Sequence, residues 1–246
     1  MKTMRITMSL FAAMFICSST FAQIPILNGY DSPLPTVVTP GVVSSDGGVA
    51  APSDAISLFN GKDLSEWTSK KGSPDWTVQN GVFTVKEGTE DIFTKKEFSD
   101  FQLHIEWMHP ADITGEGQGR GNSGVYMQGL YEIQVLETYN NNNRTYVNGQ
   151  AGAIYKQHSP LVNPLRKPGE WNSYDVIFTS PTFNSNGTYR TNPRLTVMVN
   201  GILVQNNAII YGGTNDDKIF EKLTGPILLQ NHGCIVNYRN VWIREL

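Results

Sequence analysis

The chain has 246 residues, of which 39% are hydrophobic and 17% charged, which is long enough for one large domain with its own core. A formal net charge of -3 supplies no basic surface for nucleic acid or an anionic membrane. Aromatic content of 11%, with 23 Gly and 13 Pro, suits a loop-rich β protein better than a helical one.

Residues 1–22 read as a secretory leader. Lys2 and Arg5 form a basic start, Met8 to Cys17 a short apolar run, and Thr20-Phe21-Ala22 a small-residue cleavage site. The run is too short to span a bilayer. Cys17 is a weaker candidate for lipid attachment, because Phe15-Ile16 lacks the small residue expected before it. Cleavage after Ala22 predicts a secreted or periplasmic bacterial protein with a net charge of -5, and leaves Cys234 alone, so no intrachain disulfide forms. Residues 23–54 carry Pro25, Pro33, Pro35, Pro40 and Pro52 and no Lys or Arg, and read as a tether or an extended arm.

From residue 55 the pattern becomes one of short strands. Ile56 to Phe59 ends at Asn60-Gly61. Trp76 to Gln79 and Val82 to Val85 flank Asn80-Gly81, and Leu195 to Val199 and Ile202 to Gln205 flank Asn200-Gly201. Both are hairpin signatures, because Asn-Gly supplies the positive φ angles of a tight turn. Phe101 to Met108 alternates: Phe101, Leu103, Ile105 and Trp107 make an apolar face, Gln102, His104 and Glu106 a polar one. Val125 to Gln128 and Tyr131 to Glu137 follow a glycine-rich turn. Further strands are expected at Gly152 to Tyr155, Trp171 to Thr179, Ile227 to Gln230 and Asn237 to Glu245, with one short helix over Asp216 to Leu223. Many short strands and almost no helix predict an all-β sandwich or jelly roll.

No G-x-S-x-G, P-loop, H-E-x-x-H or paired-cysteine zinc pattern is present. In Tyr131 to Glu137, Ile133 and Val135 share one face and Glu132 and Gln134 the other. With Arg120 and Asn122 beside them, a carboxylate and an amide suggest a polar cleft for a hydroxyl-rich ligand; a solvated sheet face is the plainer reading. His232 follows Gln230 in Gly225 to Gly233, and an imidazole suits acid-base work near neutral pH. If the polar faces of their strands line one cleft, Glu106, Glu132 and His232 meet there. Arg239 is expected to pair with a cleft carboxylate, with a surface ion pair as the alternative. Glu137 is either an edge residue or turned into the cleft by a bulge. Asp112 and Glu116 offer oxygen ligands for calcium without any EF-hand spacing, and solvated loop acids are the simpler account. Asn143-Arg-Thr145 matches a glycosylation sequon.

Over roughly residues 55–246 an ordered set of short motifs resembles the 3-keto-disaccharide hydrolase domain family. The motifs are Leu58-Phe-Asn-Gly61 with Trp67, Gly121-Asn-Ser-Gly-Val125, Tyr131 to Glu137, and Gly152-Ala-Ile-Tyr155. They continue with Gly169-Glu-Trp-Asn172, Asn200-Gly201, Gly225 to Gln230 with His232-Gly233, and Arg239-Asn-Val-Trp-Ile243. The chain departs from the family at Glu137, where Asp is frequent, and at Asn231, where an acid is frequent.

The resemblance implies a single concanavalin-like jelly roll with a concave polar cleft, acting on glycosides oxidised at C3. A C3 ketone acidifies the C2 proton. A base can then remove that proton, the enolate expels the C1 substituent, and water adds to the alkene; direct hydrolysis is the other route. On this reading His232 or Glu132 is the base and Glu106 an acid or metal ligand. Arg120, Asn122, Gln134, Gln230 and Arg239 hold hydroxyls or the enolate oxygen, and Trp171 stacks on a sugar face. A divalent metal could polarise the ketone. The alternatives are a non-catalytic carbohydrate-binding module, since the same sandwich serves both, and an interaction domain of a cell-surface assembly.

Overall fold

A computed structural model of the protein describes residues 33–34, 36–37, 51–214 and 222–246. The leader expected over residues 1–22, most of the arm and most of the helix expected over 216–223 lie outside the described residues.

Two antiparallel sheets form a jelly-roll sandwich. The larger runs, in order, Ile202–Ile209, Arg194–Val199, Asn172–Thr179, Phe101–Met108, Asn237–Glu245, Val82–Thr84 and Thr77–Gln79, with Ile56–Ser57 also paired to Asn237–Glu245. The smaller runs Trp67–Thr68, Ile92–Thr94, Leu228–Leu229, Ser123–Met127 and Tyr131–Val135. Away from both, Thr36–Val37 pairs in parallel with Val162–Asn163. The Asn-Gly hairpins form as the sequence predicts: Asn80 and Gly81 have φ of 53° and 75°, Asn200 and Gly201 of 52° and 78°.

The core fills the space between the sheets. Phe101, Leu103, Ile105 and Trp107 face Val125, Met127, Tyr131, Ile133 and Val135 through one continuous apolar cluster. Each such side chain stabilises the fold by roughly 1.5–3 kcal/mol relative to exposure. Two phenols stitch the sheets across this core. Tyr174 donates to the Gln134 carbonyl at 2.6 Å, and Tyr238 lies 2.7 Å from the Ser123 hydroxyl. The Leu58-Phe-Asn-Gly61 motif and Trp67 are one unit, because the Trp67 indole N–H donates to the Leu58 carbonyl at 2.6 Å.

Two details differ from the sequence expectation. Gly152 to Tyr155 is not a regular strand, although it covers the outer edge of Tyr131–Val135. Gly152 N–H donates to Gln134 O, Gln134 N–H to Ala153 O, and Tyr155 N–H to Glu132 O. The bulge that reshapes the outer face of the larger sheet lies not at Glu137 but in the last strand, where Asn240 and Val241 stand opposite Ile105 alone. Asn240 there has φ of 46°. The extra residue puts Arg239 beside Glu106 and Trp242 beside His104, so residues three apart share one face.

Candidate functional site

Alternation decides which polar groups can meet. Ile105 and Trp107 belong to the core, so Glu106 points out of the larger sheet; Tyr131, Ile133 and Val135 belong to the same core, so Glu132 points out of the smaller one. The two carboxylates therefore sit on opposite outer faces of the sandwich. This corrects the expectation that Glu106 and Glu132 line one cleft. The predicted residues divide into two groups with different chemistry.

Asn122, Glu132, Gln134 and Gln230 gather on the outer face of the smaller sheet. Tyr126 and Glu132 are cross-strand partners, as are Gly124 and Gln134. The strand of Gln230 continues this lattice, since Gln230 N–H donates to the Gly124 carbonyl at 3.0 Å. Gln230 Nε2 donates to the Tyr126 hydroxyl at 3.1 Å. Gln134 Nε2 donates to Gln118 Oε1 at 2.9 Å, and Asn122 Nδ2 to Gln118 O at 2.7 Å. The Oε1 atoms of Gln134 and Gln230 are buried without a partner, as are both amide atoms of Gln150. Buried amides with unspent capacity suit a hydroxyl-bearing ligand.

Glu132 brings a carboxyl to this face. It is 2% exposed, and burial pushes its carboxyl up to about 7, against weaker opposing pulls from the Tyr126 hydrogen bond and the Lys156 charge. A carboxyl that titrates near neutrality can take or give a proton under working conditions. Gly124 leaves the room it needs, because a side chain there would run into Glu132 and Tyr126.

The second group lies on the outer face of the larger sheet. Glu106 accepts from Arg239 Nε at 2.6 Å and Asn240 Nδ2 at 2.8 Å, and lies 3.5 Å from His104 Nε2. His104 Nδ1 meets Asp175 at 2.7 Å, and its ring stacks on Trp242. Arg239 lies under Trp171, 4.2 Å from the ring centre. Burial opposes ionisation of Glu106, but hydrogen bonds from His104, Asn240 and Arg239 outweigh it and bring the carboxyl to about 2. Burial likewise opposes the charge on His104, and Asp175 and Glu106 outweigh it to raise the imidazole to about 9. Held well below the usual carboxylate range, Glu106 is engaged by Arg239 and Asn240 and lies apart from Glu132. Arg239 pairs with a carboxylate as expected, but it and Trp171 belong to this clasp and not to the face of Glu132.

The remaining candidates stand at the margins. His232 is exposed, two residues past Gln230, in a loop where Asn231 binds Asp91 and Cys234 lies 3.6 Å from the Gly119 carbonyl. Arg120 pairs with Glu137 and donates to the Ile113 carbonyl at 3.0 Å. Glu137 also accepts from Tyr139 N–H, so it anchors the strand end. Asn143 of the sequon is buried, with its amide spent on the Gly117 and Glu137 carbonyls. Among the described residues no three His, Cys, Asp or Glu side chains form a metal-holding group, Asp112 and Glu116 included.

Sequence reasoning missed Gly124, Tyr126, Gln118 and Lys156 in the first group, and Asp175 and Asn240 in the second. A glycine inside the strand Ser123–Met127 was the available signal for close approach to Glu132. Nothing in the sequence brings Asp175 to His104, because that register joins strands about seventy residues apart.

A family model of the 3-keto-alpha-glucoside-1,2-lyase-like domain matches residues 54–244. A crystal structure from Parabacteroides distasonis ATCC 8503, whose assignment as a glycosyl hydrolase is provisional, is 55% identical. It aligns over 87% of this chain and 93% of its own, with a TM-score of 0.76. A second structure from that organism, with the same provisional assignment, is 23% identical over 77% of this chain and 92% of its own, with a TM-score of 0.56, and speaks to fold alone. No protein with a curated description matches the chain.

Proposed function

Since this chain belongs to the 3-keto-alpha-glucoside-1,2-lyase-like domain family, we propose that it cleaves glycosides whose sugar carries a ketone at C3, with Glu132 as the base. The observation that carries this reading is the Glu132 carboxyl, buried and brought to about 7 on a face otherwise furnished with amides and a phenol.

The ionised carboxylate takes the C2 proton, which the neighbouring ketone has acidified. The electron pair left at C2 forms the enolate. Its collapse breaks the C1–O bond, and the aglycone oxygen leaves with a proton from water or from the newly protonated Glu132. Water then adds across the C1–C2 alkene, and the net result is hydrolysis. Tyr126, hydrogen-bonded to both Glu132 and Gln230, fixes the carboxyl in place. The unspent amide oxygens of Gln134 and Gln230 accept from sugar hydroxyls. Because the mechanism makes no oxocarbenium ion, a second carboxylate flanking the bond is not required.

The test uses one glucoside before and after oxidation at C3. The proposal expects release of the aglycone from the 3-keto sugar and almost none from the parent. A binding module releases it from neither, and an ordinary glycosidase releases it from the parent; either result overturns the reading.

A further inference from the structure

A cleft of about 420 Å³ opens among Arg120, Glu137, Tyr139, Asn142 and Arg144, and it does not include Glu132. We propose that it is a second carbohydrate site, one that seats a neutral pyranose ring against Tyr139 and works independently of the Glu132 chemistry.

The wall of the cleft is fixed before any ligand arrives. Arg120 is tied to Glu137 and to the Ile113 carbonyl, and Glu137 Oε1 accepts from Tyr139 N–H at 2.9 Å. Asn143 clasps Gly117 on both sides, taking its N–H at 2.7 Å and giving to its carbonyl at 3.0 Å. Asn163 holds the far turn through Thr138 O at 2.7 Å and Asn141 Oδ1 at 2.8 Å. Binding therefore orders little backbone, which removes one cost of association.

The lining defines the ligand class. Tyr139 is 37% exposed and lines the cleft together with Pro168 and the polar side chains of Glu116, Asn142 and Arg144. An aromatic face with polar groups around it matches a sugar ring, which is apolar on its C–H face and hydroxylated at its edge. Arg120 and Glu137 neutralise each other, leaving one cation, Arg144, and one anion, Glu116, to meet the ligand. That balance offers donors and acceptors without net charge, which suits a neutral polyol better than an acidic sugar. The cleft volume falls within the range of small-molecule sites.

The experiment titrates methyl glucoside, unoxidised, into the full chain and follows binding by ligand-observed NMR, with methyl glucuronide in parallel. The proposal expects saturable binding of the glucoside in the millimolar range, weakened at least tenfold by Tyr139→Ala and several-fold by Arg144→Ala. Tyr139→Phe should bind within about threefold of the wild type, and Glu132→Gln should leave this binding unchanged. Both Tyr139 and Arg144 are surface side chains, and unchanged melting temperatures would show that the variants are folded. Absence of saturable binding overturns the proposal. So does full retention of binding in Tyr139→Ala, which would place the sugar elsewhere, the Glu132 face included. Tighter binding of the glucuronide overturns the neutral-ligand assignment. None of these readouts depends on turnover, so failure of the keto-glycoside reading leaves this result standing, and the converse.

Discussion

Gly124 stands against the carboxyl of Glu132: a Cβ built on this glycine would lie 2.6 Å from Glu132 Oε1 and 2.6 Å from the Tyr126 ring. The strand has no side chain at the position where the Glu132 carboxyl needs its space. Gly124→Ala should push Glu132 off its hydrogen bond to Tyr126. The φ of Gly124 is not in the left-handed region, so the backbone itself tolerates alanine. The expected outcome is a fall in kcat of about tenfold to a hundredfold, with a stability loss of about 1–3 kcal/mol from overpacking. Steady-state kinetics and urea unfolding check both. Full activity would mean that the position of Glu132 is not critical.

Glu132 as base predicts how activity depends on pH. Below about 7 the carboxyl holds its proton and cannot accept another. The kcat/KM for a 3-keto-glucoside should therefore rise through a midpoint near 7 and level off above it. The stability consequence has the opposite sign. The native state keeps a proton that the unfolded chain releases, so this group costs stability as pH rises from 4.5 to about 7. Glu132→Gln should remove that decline in a denaturation series. A rate midpoint near 4.5 would contradict the burial effect.

The clasp on the larger sheet should behave as a structural element. Glu106 is 3% exposed and bound by Arg239 and Asn240. Removing it with Glu106→Ala strands Arg239 and the His104 charge, and should cost about 3–5 kcal/mol. For His104 the native value of about 9 lies above the ordinary 6.5. Its contribution is thus complete below 6.5 and is lost as pH rises through about 9. Asp175→Asn should lower stability at pH 6.5 and flatten that alkaline decline. Urea unfolding across this window checks both. A wild-type curve that stays level from 6.5 to 9 would contradict the charged imidazole.

The fold was largely legible because its signals are local. Asn80-Gly81 and Asn200-Gly201 demand their hairpins, and the alternation from Phe101 to Met108 gives the strand with its inner and outer faces. The pairing of Glu132 with Gln134 on one face also follows from period two alone. What the sequence could not supply was which faces meet. Glu106 and Glu132 look equivalent in their strands, and only the packing of Ile105 and Ile133 into one core sends them to opposite sides. The bulge at Asn240 and Val241 was equally hidden. Strict alternation would set Trp242 against the face of Arg239, and the extra residue brings both to the same clasp. Glu132 was a candidate from residue type, but its raised carboxyl arises from burial by segments distant in sequence, which no local pattern encodes.

The most direct test of the account measures turnover of a 3-keto-glucoside by the wild type and by Glu132→Gln at a pH above 7. Gln keeps the size and hydrogen-bonding reach of Glu but cannot accept the C2 proton. The account predicts a loss in kcat of about 10²–10⁴, the scale of a positioned general base, with KM changed little and the fold intact. A Glu132→Gln enzyme that turns over the keto sugar at the wild-type rate would contradict it and leave the base to be sought elsewhere, first at His232.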